Sequence, residues 1–357
     1  MRLIIAGGGS GGHFFPAMAV MNEIMKKNKN VEYLYIGSDS GIESRKWTLP
    51  EANRRLLAVR GFRNKKTAEK LLSLVLLLDA VKESAGILGD FMPDAVLGVG
   101  GYASFPVVMT AVFMRIPSAI HEQNSVPGLA NRVLSRFVKK VFMSFETSRR
   151  YFPADKVVLT GLPIRYALHR QRDYASPVKR ILVLGGSQGA HQINEMMVSG
   201  LASLADIKHS VAFIHQTGPA DFRSVRDAYD RYGFHAEVYD FIDDMAQVFD
   251  RADIAVSRAG ASTLFELAAY GIPSILIPYP SAASDHQTLN AAELADGKGA
   301  FVIPAATKEP EMLVKLLHEL SADNGRLKDM SGAMIKWAKP DAARSIVDEM
   351  TRLGGMV

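Results

Sequence analysis

The sequence predicts an α/β protein of two doubly wound domains with parallel sheets, and three observations predict it. Short β-branched runs alternate with helical segments from end to end. A strand, a Gly-Gly-Ser loop and a helix start follow one another twice, at residues 3–13 and 181–191. Between the two series lies a polar, Arg-rich stretch, residues 164–178, with Ser-Pro at 176–177.

Each element has its own signal. In the first half, strands are expected at residues 3–6, 31–36, 95–99, 118–121, 141–145 and 157–160. In the second half they are expected at 180–184, 210–215, 236–241, 254–257, 274–278 and 300–303. Residues 17–27, 190–204, 245–251 and 263–270 have helical spacing. Alternation of this kind means parallel sheets covered by helices. The expected domains are 1–163 and 164–340. Pro340 breaks the chain after Trp337, and the amphipathic segment that follows is expected to pack back on the first domain as part of 341–357. Two similar halves are expected to face a central cleft, with ligand at the C-terminal edges of the sheets.

Composition narrows the function. The chain has 357 residues, more than one core usually serves, and 48% are hydrophobic, enough for two. The absence of cysteine excludes disulfides, thiol catalysis, iron–sulfur clusters and Cys-ligated zinc. The apolar runs at residues 1–7 and 71–78 are too short to cross a bilayer, so a soluble, cytoplasmic chain is expected. The net charge is +5 and the pI about 9.2. That balance attracts polyanions. Without an aromatic-interleaved basic patch, an anionic membrane face suits it better than nucleic acid.

The glycine loops suit phosphate. Glycine has no Cβ, so backbone amides and a helix N-terminus come close to an anion. Residues 7–12 and 185–189 both have this form, one loop for a donor and one for an acceptor. Gly7, Gly9 and Gly12 also satisfy a dinucleotide fingerprint, and Asp39 beyond Gly37 keeps that reading open. Ser10 and Ser187 are phosphate donors or simple N-caps. His13, at a helix start that would keep it neutral, is a candidate base. In the second half, Ser262 and Thr263 put donors at a helix N-terminus, and Glu266 one turn on suits vicinal hydroxyls. Gln287, in the polar segment 284–290, suits a sugar hydroxyl. In the first half, residues 121–124 (His-Glu-Gln-Asn) follow a strand directly, and the loop 100–104 lies at the same sheet edge.

Together these segments resemble the MurG family of N-acetylglucosaminyltransferases. The matching pieces are residues 8–13 with Pro16, then 98–102, 121–124, 185–190, 241–245 and 260–266, in order over essentially the whole chain. The resemblance implies a GT-B fold and inverting transfer of N-acetylglucosamine from UDP-N-acetylglucosamine. The implied acceptor is the 4-hydroxyl of the N-acetylmuramyl sugar of lipid I, giving lipid II in peptidoglycan synthesis. It implies donor contacts at Ser10, Gly11, Gly12, Asn124, Arg165, Ser187, Ile242, Ala261, Ser262, Thr263, Leu264, Phe265, Glu266 and Gln287, with the Ile242 backbone at uracil. The acceptor pyrophosphate is expected at Gly8, Gly9, Gly100, Gly101 and Tyr102. His13 is the expected general base, with Glu122 and Asn124 as competitors for positioning or deprotonating the acceptor. No Asp-x-Asp metal motif occurs, so no cofactor and no metal are expected. Ser10 stands where threonine is common and Leu162 where asparagine is common.

A lipid-linked acceptor implies a peripheral protein on the cytoplasmic face of the cell membrane, in contact with other cell-wall synthesis and division proteins. Phe62, Lys65 and Lys66 precede Leu71, Leu72 and Val75, a mix of basic and apolar groups suited to anionic lipid. A buried helix with an exposed basic loop is the competing reading. Rival functions are another GT-B glycosyltransferase with a different acceptor, a nucleotide-dependent oxidoreductase, and a nucleotide-sugar binding protein without activity.

Overall fold

The computed structural model describes residues 1–27, 31–59, 67–164, 172–186, 188–282 and 285–355. It forms two compact units: Met1–Arg165 with Asp341–Val357, and Tyr166–Pro340.

The first unit carries a seven-stranded parallel sheet. Its strands are β1 (Arg2–Ala6), β2 (Glu32–Ser38), β3 (Arg54–Leu57), β4 (Ala95–Gly98), β5 (Ser118–Glu122), β6 (Lys140–Met143) and β7 (Val157–Leu159). The spatial order is β3-β2-β1-β4-β5-β6-β7. The helices are α1 (Gly11–Lys27), α2 (Glu43–Lys46), α3 (Thr67–Phe91), α4 (Ser104–Phe113), α5 (Leu129–Leu134) and, from the end of the chain, α13 (Ala342–Leu353). The sheet is buried on both faces, as parallel sheets are. Leu3 and Ile5 pack with Phe14, Ala17 and Met21 of α1 and with Ile346, Val347 and Met350 of α13. Ile4 and Ala6, pointing the other way, pack with Leu88 of α3 and Val107 and Val108 of α4.

The second unit repeats the plan with six parallel strands: β8 (Lys179–Leu184), β9 (Val211–Gln216), β10 (Ala236–Tyr239), β11 (Ile254–Ser257), β12 (Ser274–Leu276) and β13 (Ala300–Val302). Their order is β10-β9-β8-β11-β12-β13. Its helices are α6 (His191–Gly200), α7 (Phe222–Tyr232), α8 (Met245–Arg251), α9 (Ala261–Ala269), α10 (His286–Asp296), α11 (Glu311–Ala322) and α12 (Asn324–Trp337).

The structure differs from the sequence reading in three places. β3 had no strand signal, because Arg54 and Arg55 serve an edge strand with no buried alternation. α1 begins at Gly11, six residues before the apolar spacing starts, because Pro16 lies inside it. The stretch read as a linker is partly packed. Arg172 is buried, and its guanidinium donates to the carbonyls of Phe249, Asp250, Ala252 and Tyr270 at the ends of α8 and α9. It satisfies carbonyls that these helix ends leave open. Among the described residues, no helix is long and apolar enough to cross a membrane.

Candidate functional site

In an open parallel sheet, ligands bind where the strand order reverses direction, beyond the C-terminal ends of the strands. In the first unit that point lies between β1 and β4. The loops leaving these strands interlock there. The Gly8 N–H donates to the Gly100 carbonyl at 3.2 Å. Gly101 has φ of +82°, and a Cβ on it would lie 2.0 Å from the Gly8 carbonyl oxygen. Only glycine fits.

This close fit corrects the expected acceptor cradle. The Gly8 and Gly9 amides are not turned to a ligand. Gly8 bonds Gly100, and the Gly9 N–H meets both carboxylate oxygens of Glu43, at 3.0 and 2.9 Å. Ser10, Gly11 and Gly12, at the start of α1, are left as the anion-facing amides; they have no acceptor among the described residues. Tyr102 extends from the same corner and is 54% exposed, able to reach a ligand.

Glu43 was missed in the sequence reading. It is 0% exposed. Besides Gly9 it accepts the Ser38 N–H at 2.6 Å, and Gly8, Gly37 and Gly41 leave the space its side chain fills. The Tyr35 hydroxyl donates to the Gly7 carbonyl at 2.6 Å, and the Tyr35 ring stacks on Trp47. The available signal was the second glycine cluster, Gly37 and Gly41, with Glu43 two residues beyond it.

His13 is half-buried on the first turns of α1. Its Nδ1 is 3.1 Å from the Val99 carbonyl and 3.2 Å from Gln123 Oε1. Its pKa is lowered, which keeps it neutral as expected, but the chief cause is burial. Glu122 is placed differently from expectation. It is buried, and its carboxylate accepts from the backbone of Asn124 at 3.0 Å and Gly128 at 3.3 Å and from Asn131 Nδ2 at 2.8 Å. Burial raises its pKa, with these bonds opposing. The carboxylate fastens the 123–128 loop from beneath and is withheld from an acceptor. Asn124 is half-exposed, and its side chain bonds Glu122.

In the second unit the reversal lies between β8 and β11. A cavity of about 540 Å³ opens there, within the range of ligand pockets. It is lined by the second glycine loop and by Arg258, Gly260, Thr263, Tyr279 and Gln287. Gln287 accepts the Tyr279 N–H on Oε1 at 2.9 Å, so its amino group is the part left to donate. His286, its neighbour in the polar segment 284–290, is not in the lining. Ala261, Leu264, Phe265 and Glu266 are buried, and Ser262 is half-buried. The Phe265 ring lies 4.4 Å from that of Trp337. The side chains of Leu264 and Phe265 therefore belong to the core, and only their backbone is placed to meet a ligand. The Ile242 N–H donates to Gln216 Oε1 at 3.1 Å, while Gln216 Nε2 donates to the Gly186 carbonyl at 2.7 Å. Gln216, also missed, ties the proposed uracil position to the glycine loop.

Arg258 gives the cavity its charge. Its guanidinium donates to Gln192 Oε1 and to the carbonyls of Ile277 and Pro278, all near 3.0–3.1 Å, beside the Tyr279 ring. It has no carboxylate partner among the described residues. Arg165, Ser187, Phe62, Lys65 and Lys66 lie outside the described residues, as do the side chains of Leu71, Leu72 and Val75.

The second glycine loop rests on a buried polar network. A Cβ on Gly189 would lie 1.9 Å from the Thr217 carbonyl oxygen. That carbonyl accepts from Asn194 Nδ2 at 2.9 Å, and Asn194 Oδ1 faces His215 Nε2 at 3.0 Å. His215 is 0% exposed, and burial pushes its pKa down to about 3. The unfolded chain takes up a proton near pH 6.5 that the native His215 refuses. Stability from this group is therefore full above pH 6.5 and declines as pH falls towards 3. At pH 5 the loss is about 2 kcal/mol. Thermal unfolding of wild type and His215→Gln at pH 7.5 and pH 5 checks this. The variant is expected to show a smaller drop between the two; equal drops would remove His215 as the source.

Comparison with known proteins agrees with this architecture. The Glycosyltransferase family 28 N-terminal domain matches residues 3–143, and the family's C-terminal domain matches residues 180–346. The chain belongs to glycosyltransferase family 28. Within it, the chain is 44% identical over 98% of both chains to a Geobacter sulfurreducens protein, the UDP-N-acetylglucosamine--N-acetylmuramyl-(pentapeptide) pyrophosphoryl-undecaprenol N-acetylglucosamine transferase. It is 44% identical to the Myxococcus xanthus transferase of the same name, over 98% of this chain and 92% of that one. It is also similar to the crystal structure of Acinetobacter baumannii MurG, with TM-score 0.80 and 30% identity over 98% of this chain and 99% of that one.

Proposed function

We propose that the chain transfers N-acetylglucosamine from UDP-N-acetylglucosamine to the muramyl 4-hydroxyl of undecaprenyl-pyrophosphoryl-N-acetylmuramyl-pentapeptide. The observation that carries the donor half is the cavity of the second unit, where an arginine without a carboxylate partner among the described residues stands beside a glycine loop and a helix start. An anionic diphosphate would complete it. With the Gly8 and Gly9 amides consumed, the acceptor half is reassigned to the amides of Ser10, Gly11 and Gly12, which the resemblance had placed at the donor, and to His13 beside them. The relatives' names supply the two substrates.

The reaction is one displacement. The acceptor oxygen forms a bond to the anomeric carbon as the bond to the UDP oxygen breaks, inverting the centre. His13 takes the hydroxyl proton, and the leaving diphosphate keeps the electron pair. Arg258 and the backbone amides offset the charge that develops there. That set of donors supports transfer without a metal. Association with an anionic membrane surface is supported by apolar side chains exposed on α3 and α4, Leu78 at 64% and Phe113 at 75%, with exposed Lys82 and Arg115 nearby in sequence.

UDP release from UDP-N-acetylglucosamine, with and without a lipid I analogue, tests the proposal. Release is expected to depend on the acceptor and to persist in excess EDTA. Acceptor-independent hydrolysis would sink the acceptor assignment, and loss of release in EDTA would sink the metal-free scheme.

A further inference from the structure

A chain of hydrogen bonds links His13 to the end of β7, and donor and acceptor can be assigned at every step. His121 Nε2 is 3.0 Å from the Gly161 carbonyl. A carbonyl only accepts, so Nε2 carries the proton. Ser144 Oγ, 3.5 Å from the same nitrogen, gives its own hydrogen to the Glu122 carbonyl at 3.0 Å and does not compete. His121 is 0% exposed, and burial lowers its pKa to about 4, so the ring is neutral and Nδ1 bears a lone pair. Gln123 Nε2 lies 3.1 Å from that lone pair and 2.7 Å from the Val99 carbonyl. Two acceptors fix that atom as the amino group. Gln123 Oε1 therefore faces His13 Nδ1, at 3.2 Å. The Val99 carbonyl, 3.1 Å from the same nitrogen, also only accepts. Both neighbours of His13 Nδ1 require a proton on it.

We propose that Gln123, held by His121 and the Gly161 carbonyl, is a positioning residue that fixes His13 as its Nδ1–H tautomer and leaves Nε2 free of a proton. The inference rests on the reading of His13 as the base and deepens it. A neutral imidazole accepts a proton only on its bare nitrogen. If the tautomer were free, part of the population would present an N–H towards the acceptor side, where it could take no proton. The packing is specific to this arrangement. Gly100 has φ of +85°, and a Cβ on it would lie 2.7 Å from His13 Nδ1 and 3.2 Å from Gln123 Oε1. The ring and the amide are thus pressed against bare backbone. Among the described groups, the ionisable ones that bear on His13 are Glu43 and His121.

The test is the nitrogen NMR of the full chain with labelled histidine, together with the kinetics of Gln123→Met and Gln123→Glu. In wild type at pH 7.5, His13 is expected as Nδ1–H and His121 as Nε2–H. Gln123→Met removes one of the two acceptors and leaves the Val99 carbonyl, so it is expected to weaken rather than erase the Nδ1–H preference of His13 and to lower kcat roughly tenfold, below the ~10⁴-fold cost of enforcing a wrong tautomer in a triad, with KM for UDP-N-acetylglucosamine unchanged. Gln123→Glu keeps an oxygen for the His13 Nδ1–H but sets its second oxygen against the Val99 carbonyl and the His121 lone pair, so it is expected to recover the Nδ1–H form and kcat only in part. An Nε2–H tautomer in wild-type His13 overturns the proposal without any variant having to fold. A Gln123→Met chain with unaltered tautomer and kcat overturns it too. The underlying base reading fails differently: the Nδ1–H tautomer would stand, but His13→Gln would retain full kcat.

Discussion

His13→Gln is expected to lower kcat by about 10²–10⁴-fold, the range that a positioned general base supplies. The residue's half-buried ring is secured along its Nδ1 edge, so the loss should fall on turnover and leave KM for UDP-N-acetylglucosamine near its wild-type value. The pH dependence has a defined sign. A base works deprotonated, so kcat/KM falls as pH drops through its pKa. Burial holds that pKa below the ordinary 6.5, and the wild-type acid limb should therefore lie below pH 6.5. In the variant that limb should vanish from the residual activity. Steady-state rates between pH 5 and 8.5 with a soluble lipid I analogue check both points. An undiminished kcat would remove His13 from the chemistry.

The second large effect is expected at Glu43. Glu43→Ala leaves the Gly9 and Ser38 amides without their acceptor in a site with no access to solvent. A buried donor left unsatisfied costs roughly 1–3 kcal/mol, and two are affected here. The first unit should unfold at lower denaturant concentration, and the loop that offers Ser10, Gly11 and Gly12 should lose its shape. Glu43→Gln keeps one carbonyl oxygen and should recover part of both. Urea unfolding with acceptor titration reads the two effects together. Equal midpoints for wild type and Glu43→Ala would show that the carboxylate is not what holds the loop.

The alternation of apolar runs and helical spacing made the two parallel sheets legible, because strands buried on both faces leave unbroken β-branched runs. Residues 254–257 and 245–251 were placed to the residue. β3 was not legible, since an edge strand of two arginines and two leucines has neither a run nor a period. The site was legible where chemistry leaves a local mark. Glycine loops, His13 and the polar 121–124 segment all stand at strand ends. What the sequence concealed were the partners. Glu43 lies 34 residues from the amide it holds, and Gln123 lies 110 residues from His13. Gln216 joins a loop 30 residues before it to a backbone 26 residues after it. No periodicity encodes such pairings; only the folding of the sheet brings them together. Glu122 shows the reverse error. An acid among polar residues at a strand end suggests chemistry, yet its oxygens are consumed by its own loop.

The return of α13 to the sheet face that α1 covers bears on how the chain matures at the ribosome. Ile346, Val347 and Met350 complete the apolar cluster to which β1 and α1 contribute. During synthesis, that nascent surface waits, partly open, through more than three hundred further residues, whereas Tyr166–Pro340 is made as one uninterrupted stretch. The unit made as one stretch can therefore reach its native state before the unit that waits for α13. Until α13 is made, the segment that carries β1 and α1 exposes an apolar stripe of the kind chaperones hold.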